Sequence, residues 1–80
     1  MKTNDLKKGN RVQLRNGWFA TMEDNKRGNT RMATVEGFYT EMGSVYAHDI
    51  GWAVLPTGEL IEIEHTPAQL KLRMAVSRAF

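Results

Sequence analysis

The 80-residue sequence has no cysteine, which excludes disulfides and thiolate metal sites as sources of stability and suits a reducing compartment. It has only two histidines, His48 and His65, too few for a zinc site without cysteine. No apolar run approaches the ~18 residues that a membrane span requires. The start, Met1-Lys2-Thr3-Asn4-Asp5, lacks the apolar stretch of a signal peptide. A soluble cytoplasmic protein with no membrane partner is the expectation. Serine is also scarce: Ser44 and Ser77 stand outside any Gly-x-Ser-x-Gly elbow, and no Gly-Lys-Ser/Thr phosphate loop exists. Glu62 and Glu64 share one strand face, but that face reads as the solvent side of an edge strand. Neither catalysis nor a cofactor or metal is expected.

One further absence divides the chain. Residues 32–64 contain no Lys or Arg and six acids, a net of −6. Residues 1–31 carry eight basic residues against three acidic ones, a net of +5, and Lys71, Arg73 and Arg78 follow near the end. Charge segregated in this way produces a directional field that steers a charged partner.

At this length the chain forms one domain, residues 1–80, and buries only about 60% of the surface its unfolded form exposes. A deep enclosed active site is not expected. Dimerisation would bury more apolar area, so a homodimer is among the expected states.

The pattern predicts a mainly β fold, a small five-stranded, partly open barrel of SH3-like type with one C-terminal α-helix. Val12 and Leu14 alternate with polar residues over 11–15, and Asn16-Gly17 predicts a type I′ hairpin to a second strand at 18–23. After the polar loop 24–29, residues 30–38 are rich in β-branched and aromatic types and read as a third strand. Gly37 there marks a bulge or a close backbone approach. Tyr39–Gly43 reads as a loop. A fourth strand covers 45–55, with a bend or single 3₁₀ turn near Asp49-Ile50-Gly51, and a fifth covers 59–64 with Ile61 and Ile63 inward. Thr66-Pro67-Ala68-Gln69 is a capping-box signature opening a helix over 67–78.

The segment Leu6-Lys7-Lys8-Gly9-Asn10-Arg11-Val12-Gln13-Leu14-Arg15-Asn16-Gly17 resembles the first hairpin of SH3-like barrels, including KOW-type modules of ribosomal and transcription proteins. Tyr46-Ala47-His48-Asp49-Ile50 and Glu64-His65-Thr66-Pro67-Ala68-Gln69 are similar to segments of small accessory proteins of tailed phages and prophages. The second resemblance covers most of the chain. It implies a non-structural protein that works inside the bacterial host cell, often by binding and blocking a host component.

Candidate contact residues are the basic Arg11, Arg15, Lys26, Arg27 and Arg31, with Trp18, Tyr39 and Tyr46 as stacking surfaces. Basic residues gathered on one rim would hold phosphate, and aromatic rings would stack on bases. The same cations could instead pair across strands with Glu36, Glu59 or Glu62. Two functions stay open. One is stoichiometric binding of a host protein, including inhibition of a defence factor, or of a small anionic ligand such as a nucleotide. The other is nucleic-acid binding. His48-Asp49 reads as a turn rather than a metal pair, and Gly43-Ser44-Val45-Tyr46 as a contact rim. Trp18, Phe38, Trp52 and Phe80 read as core or helix-docking residues.

Overall fold

The computed structural model describes residues 1–24 and 28–79, with side chains of the terminal helix described as far as Ala75. Six antiparallel strands form one sheet: β1 (Arg11–Leu14), β2 (Phe19–Met22), β3 (Thr30–Glu36), β4 (Thr40–Tyr46), β5 (Ile50–Val54) and β6 (Leu60–Glu62). Their order is β4-β3-β2-β1-β5-β6. A 3₁₀ turn (Ala47–Asp49) joins β4 to β5, another (Thr3–Asp5) precedes β1, and helix α1 (Pro67–Ala79) follows β6. The mainly β architecture with a terminal helix agrees with the sequence. The strand count is six rather than five, and the sheet is open, with β4 and β6 at its edges.

The extra strand comes from Thr40–Tyr46, which pairs with β3 from Glu36↔Thr40 to Thr30↔Tyr46. What reads in sequence as one interrupted strand over 45–55 is the end of β4, a 3₁₀ turn and β5. The first hairpin also differs from expectation. Only glycines have positive φ among the described residues, so Asn16 cannot take the type I′ conformation. Of the two, Gly17 alone has a positive φ (94°). Its N–H donates to the Leu14 carbonyl (2.9 Å), and Leu14 N–H donates to the Trp18 carbonyl (2.7 Å), closing a three-residue loop.

Opposed residues in antiparallel strands share a face. The register therefore sets Ala53, Val12, Ala20, Val35 and Glu41 in one row on the inner face. Beside them lie Leu14, Met22, Ala33 and Ile50, and with Leu6 and Ile63 most of these residues form the core. Leu6 belongs to the amino-terminal segment, which crosses from one side of the sheet to the other. Glu64 N–H donates to the Met1 carbonyl (2.7 Å), and Lys2 bridges Glu64 in parallel. At the other side, the buried Arg31 of β3 donates to the Thr3 carbonyl (3.2 Å) and to Asn4 Oδ1 (2.8 Å). Residues 1–6 thus strap the β6 end of the sheet to β3.

The capping box forms as predicted. Thr66 N–H donates to Gln69 Oε1 (2.9 Å), and Gln69 N–H donates to Thr66 Oγ1 (3.2 Å). Thr66→Ala is expected to lower stability by about 1 kcal/mol, read as a shift in urea midpoint with unchanged slope.

Candidate functional site: an aromatic groove beside the free sheet edge

The strap places Leu6 in the core and ends on Arg31 of β3, short of β4. There a groove of about 690 Å³ lies between the end of the first hairpin, the 3₁₀ turn and β4. Leu14, Val35 and Val45 form its apolar floor, Trp18 and Tyr46 flank it, and Arg15, Glu41 and Asp49 supply its charges. The loop that fixes Arg15 is itself tied down, because Arg15 N–H donates to the Asp49 carbonyl (2.8 Å).

Trp18 is held by the absence of a side chain. A Cβ at Gly37 would lie 2.6 Å from the indole ring, so the ring rests on bare backbone. This is the close approach that Gly37 marks in the sequence. The indole edge also meets Phe38, with ring centroids 5.7 Å apart at 79°. Gly37→Ala is expected to displace the indole, a shift the half-exposed ring can make at about 1 kcal/mol. The measurable sign is a red-shifted tryptophan emission with little change in unfolding midpoint.

On the far side, Tyr46 stacks on His48 (centroids 4.9 Å apart, 12° between planes). His48 is buried, its Nδ1 has no hydrogen-bond partner among the described residues, and its Nε2 lies 3.7 Å from Asp49 Oδ1. Burial pushes the imidazole below its ordinary value of 6.5; Asp49 opposes this, while His65, Arg15 and Arg73 add to it. The neutral ring is therefore favoured in the folded state, and below about pH 6.5 the unfolded chain binds more protons at this position. Stability from this group is complete above the unfolded pKa and is lost as pH falls toward the depressed folded value. Thermal midpoints at pH 7.5 and about pH 5.5 should differ, and His48→Phe should narrow the gap.

The sequence-predicted site residues divide. Arg15, Trp18 and Tyr46 meet in the groove. Tyr39 lines a smaller adjoining cleft with Trp18, Val35 and Phe38. Arg11 lies on the outer face, its guanidinium 5.0 Å above the Phe19 ring and paired with Glu36. Arg31 is 2% exposed and faces inward, so it is no part of an exposed rim. Lys26 and Arg27 lie outside the described residues. Phe38, expected in the core, is 91% exposed, and Trp18 is 39% exposed. Trp52 is half-buried, and Phe80 lies outside the described residues. Among the described residues no group of His, Asp and Glu could hold a metal ion, and no helix is long and apolar enough to cross a membrane.

Sequence reasoning placed the rim Gly43-Ser44-Val45-Tyr46, which lines the groove, but missed Leu14, Val35 and Glu41 as groove residues. Val35 could have been found, since it shares the inward phase of Ala33. Glu41 could not, because its strand reads as a loop. Compared with known protein families, curated proteins and solved structures, the chain shows no match to any of them.

Proposed function

We propose that this chain is a small non-enzymatic binding module that holds a planar anionic ligand of nucleotide type in the Trp18–Tyr46 groove. The observation that carries the reading is the combination in one groove of two flanking aromatic rings, an apolar floor and Arg15. Indole and phenol faces accept a flat ring system, and a guanidinium binds phosphate through paired N–H donors. Glu41 and Asp49 offer carboxylate acceptors for the N–H groups of a base. In a phage-type accessory protein, retention would withhold the ligand from a host or defence factor, and this is the role proposed here. An SH3-like barrel is the fold reading that accompanies it, supported by the β1–β4 meander, the 3₁₀ turn and the return of β5 to β1.

Nucleic-acid binding has less support. Arg11, Arg15 and Arg31 occupy the outer face, the groove and the interior respectively, so they do not line one phosphate track.

The test is a titration of the Trp52→Phe variant with mononucleotides and dinucleotides, following Trp18 emission. Saturable quenching is expected, weakened at least tenfold (about 1.4 kcal/mol) by Arg15→Ala. Purified protein is also expected to carry excess absorbance at 260 nm that heating releases as small molecules. No saturable quenching by any nucleotide, together with an ordinary absorbance ratio, overturns the reading.

A further inference from the structure

The two edges of the sheet are very unlike each other. β6 is three residues long, is flanked by Glu59 and Glu64 and contains Glu62, and the strap pairs beside it at Glu64. Shortness, charge and cover are the usual means by which an edge strand is kept from pairing with another chain. β4 is long, carries a single charge and has no neighbour on its outer side among the described residues. It runs for seven residues, Thr40–Tyr46, with Glu41 as its one charge and neither lysine nor proline.

The register shows which of its backbone groups are open. Gly37 N–H donates to the Tyr39 carbonyl and Ala47 N–H donates to the Asn29 carbonyl, so the pairs bonded to β3 are the odd-numbered residues of β4. The N–H and C=O groups of Thr40, Met42, Ser44 and Tyr46 point away from β3, along the free edge.

We propose that this edge pairs antiparallel with β4 of a second copy of the chain, about a two-fold axis at Gly43. Three observations favour a second copy as the occupant. First, the strand is self-complementary in that register: Met42 falls opposite the partner's Ser44 and Thr40 opposite the partner's Tyr46, so the outward groups of each copy meet those of the other. Second, the charges stay apart. Glu41 falls opposite the partner's Val45, and the two Glu41 positions are offset by four residues, about 14 Å along the strands at ~3.4 Å per residue, beyond a Debye length of roughly 8–10 Å. Third, the exposed apolar surface is of the right size. Phe38 (91%), Tyr39 (79%), Met42 (64%) and Tyr46 (41%) stand exposed along the edge and the turn before it. At ~150–250 Å² per large side chain these offer on the order of 500 Å² per copy. Doubled, and with the strand backbone added, this reaches the ~1,200 Å² of a specific interface.

Gly43 lies on the inner face and lines the groove, and a Cβ there would meet nothing within 4 Å. Pairing at this residue sets the two grooves side by side in one continuous trough across the axis. The pairing does not require a ligand in the groove, although Tyr46 belongs to both surfaces.

The absence of native cysteine makes the register directly testable. Opposed residues that are not hydrogen-bonded to each other lie with Cα atoms about 4.5 Å apart, within disulfide reach. Gly43→Cys is therefore expected to cross-link on mild oxidation. Ser44→Cys, whose two copies would sit on a diagonal about 7–8 Å apart, should cross-link at least tenfold more slowly. Unmodified protein should sediment at twice its 9.1 kDa mass. Ser44→Pro, which removes an outward N–H that β3 does not use, and Met42→Lys should each weaken the dimer tenfold or more with the far-ultraviolet spectrum retained. A 9.1 kDa species at about 100 μM, faster cross-linking through residue 44 than through residue 43, or a monomer that binds extended peptides along β4 each overturn the proposal.

Discussion

Arg31→Ala is expected to remove about 3 kcal/mol or more of folding stability, at ~1–3 kcal/mol for each buried hydrogen bond left unmade. The guanidinium is 2% exposed and reaches the Thr3 carbonyl, Asn4 Oδ1 and, at 3.4 Å, the Gly28 carbonyl. Truncation leaves the strap without its anchor on β3 and opens a cavity where the side-chain stem lay. A chain of this size has a total stability of roughly 4–12 kcal/mol at ~0.05–0.15 kcal/mol per residue, so the loss brings it close to unfolding. Lysine should restore little, because a single ammonium cannot reproduce a planar fork of donors. Methionine keeps the stem and removes the donors, which separates packing from hydrogen bonding. The measurement is the urea midpoint of the three variants, with hydrogen exchange at Leu6 reporting release of the strap. Equal stability of the methionine variant and the parent would show that the hydrogen bonds contribute nothing.

The second large effect is expected at Ile50, which has no exposed surface and opposes Leu14 where the β1–β5 register shifts. Ile50→Ala should cost about 2–5 kcal/mol and Ile50→Val about 0.5–1.5 kcal/mol, because removed methyl groups leave a cavity that a small core fills poorly. Ile50 also caps the 3₁₀ turn, and its carbonyl lies 2.9 Å from His65 Nε2 just before α1. Retreat of this residue should therefore loosen the helix as well as the sheet. Far-ultraviolet and near-ultraviolet spectra should change together through the transition. A valine variant as damaging as the alanine one would point to altered turn geometry instead of a cavity.

The parts of the fold that are legible in the sequence are local ones. Thr66 and Gln69 bond within one turn, and the chain reverses at Gly17 for reasons contained in its own conformational freedom. The inward pair Ile61 and Ile63 is legible because alternation over a few residues suffices. β4 is not legible. As an edge strand above a groove it buries no residue fully, so neither face shows an apolar stripe, and its glycine suggests a loop. Arg31 misleads for a different reason. Its charge suggests a surface, whereas its phase, two residues before the fully buried Ala33, puts it on the inner face. The groove is legible in part: Arg15, Trp18 and Tyr46 stand out by residue type, but that they meet depends on the path of β4.

The strap also has a bearing on how the chain acquires its structure. Thr3 and Asn4 meet Arg31 across 27 to 28 residues, whereas Lys2 finds its partner only after the chain has been made past residue 64. β1 faces a similar wait, since its second neighbour is β5. During synthesis the hairpins β1–β2 and β3–β4 can close as they emerge, while Lys2 still lacks Glu64. Contacts of such long sequence separation form slowly, and the open inner face is exposed to other chains in the interval. The pairing of Lys2 beside Glu64 is thus expected to form after the local hairpins.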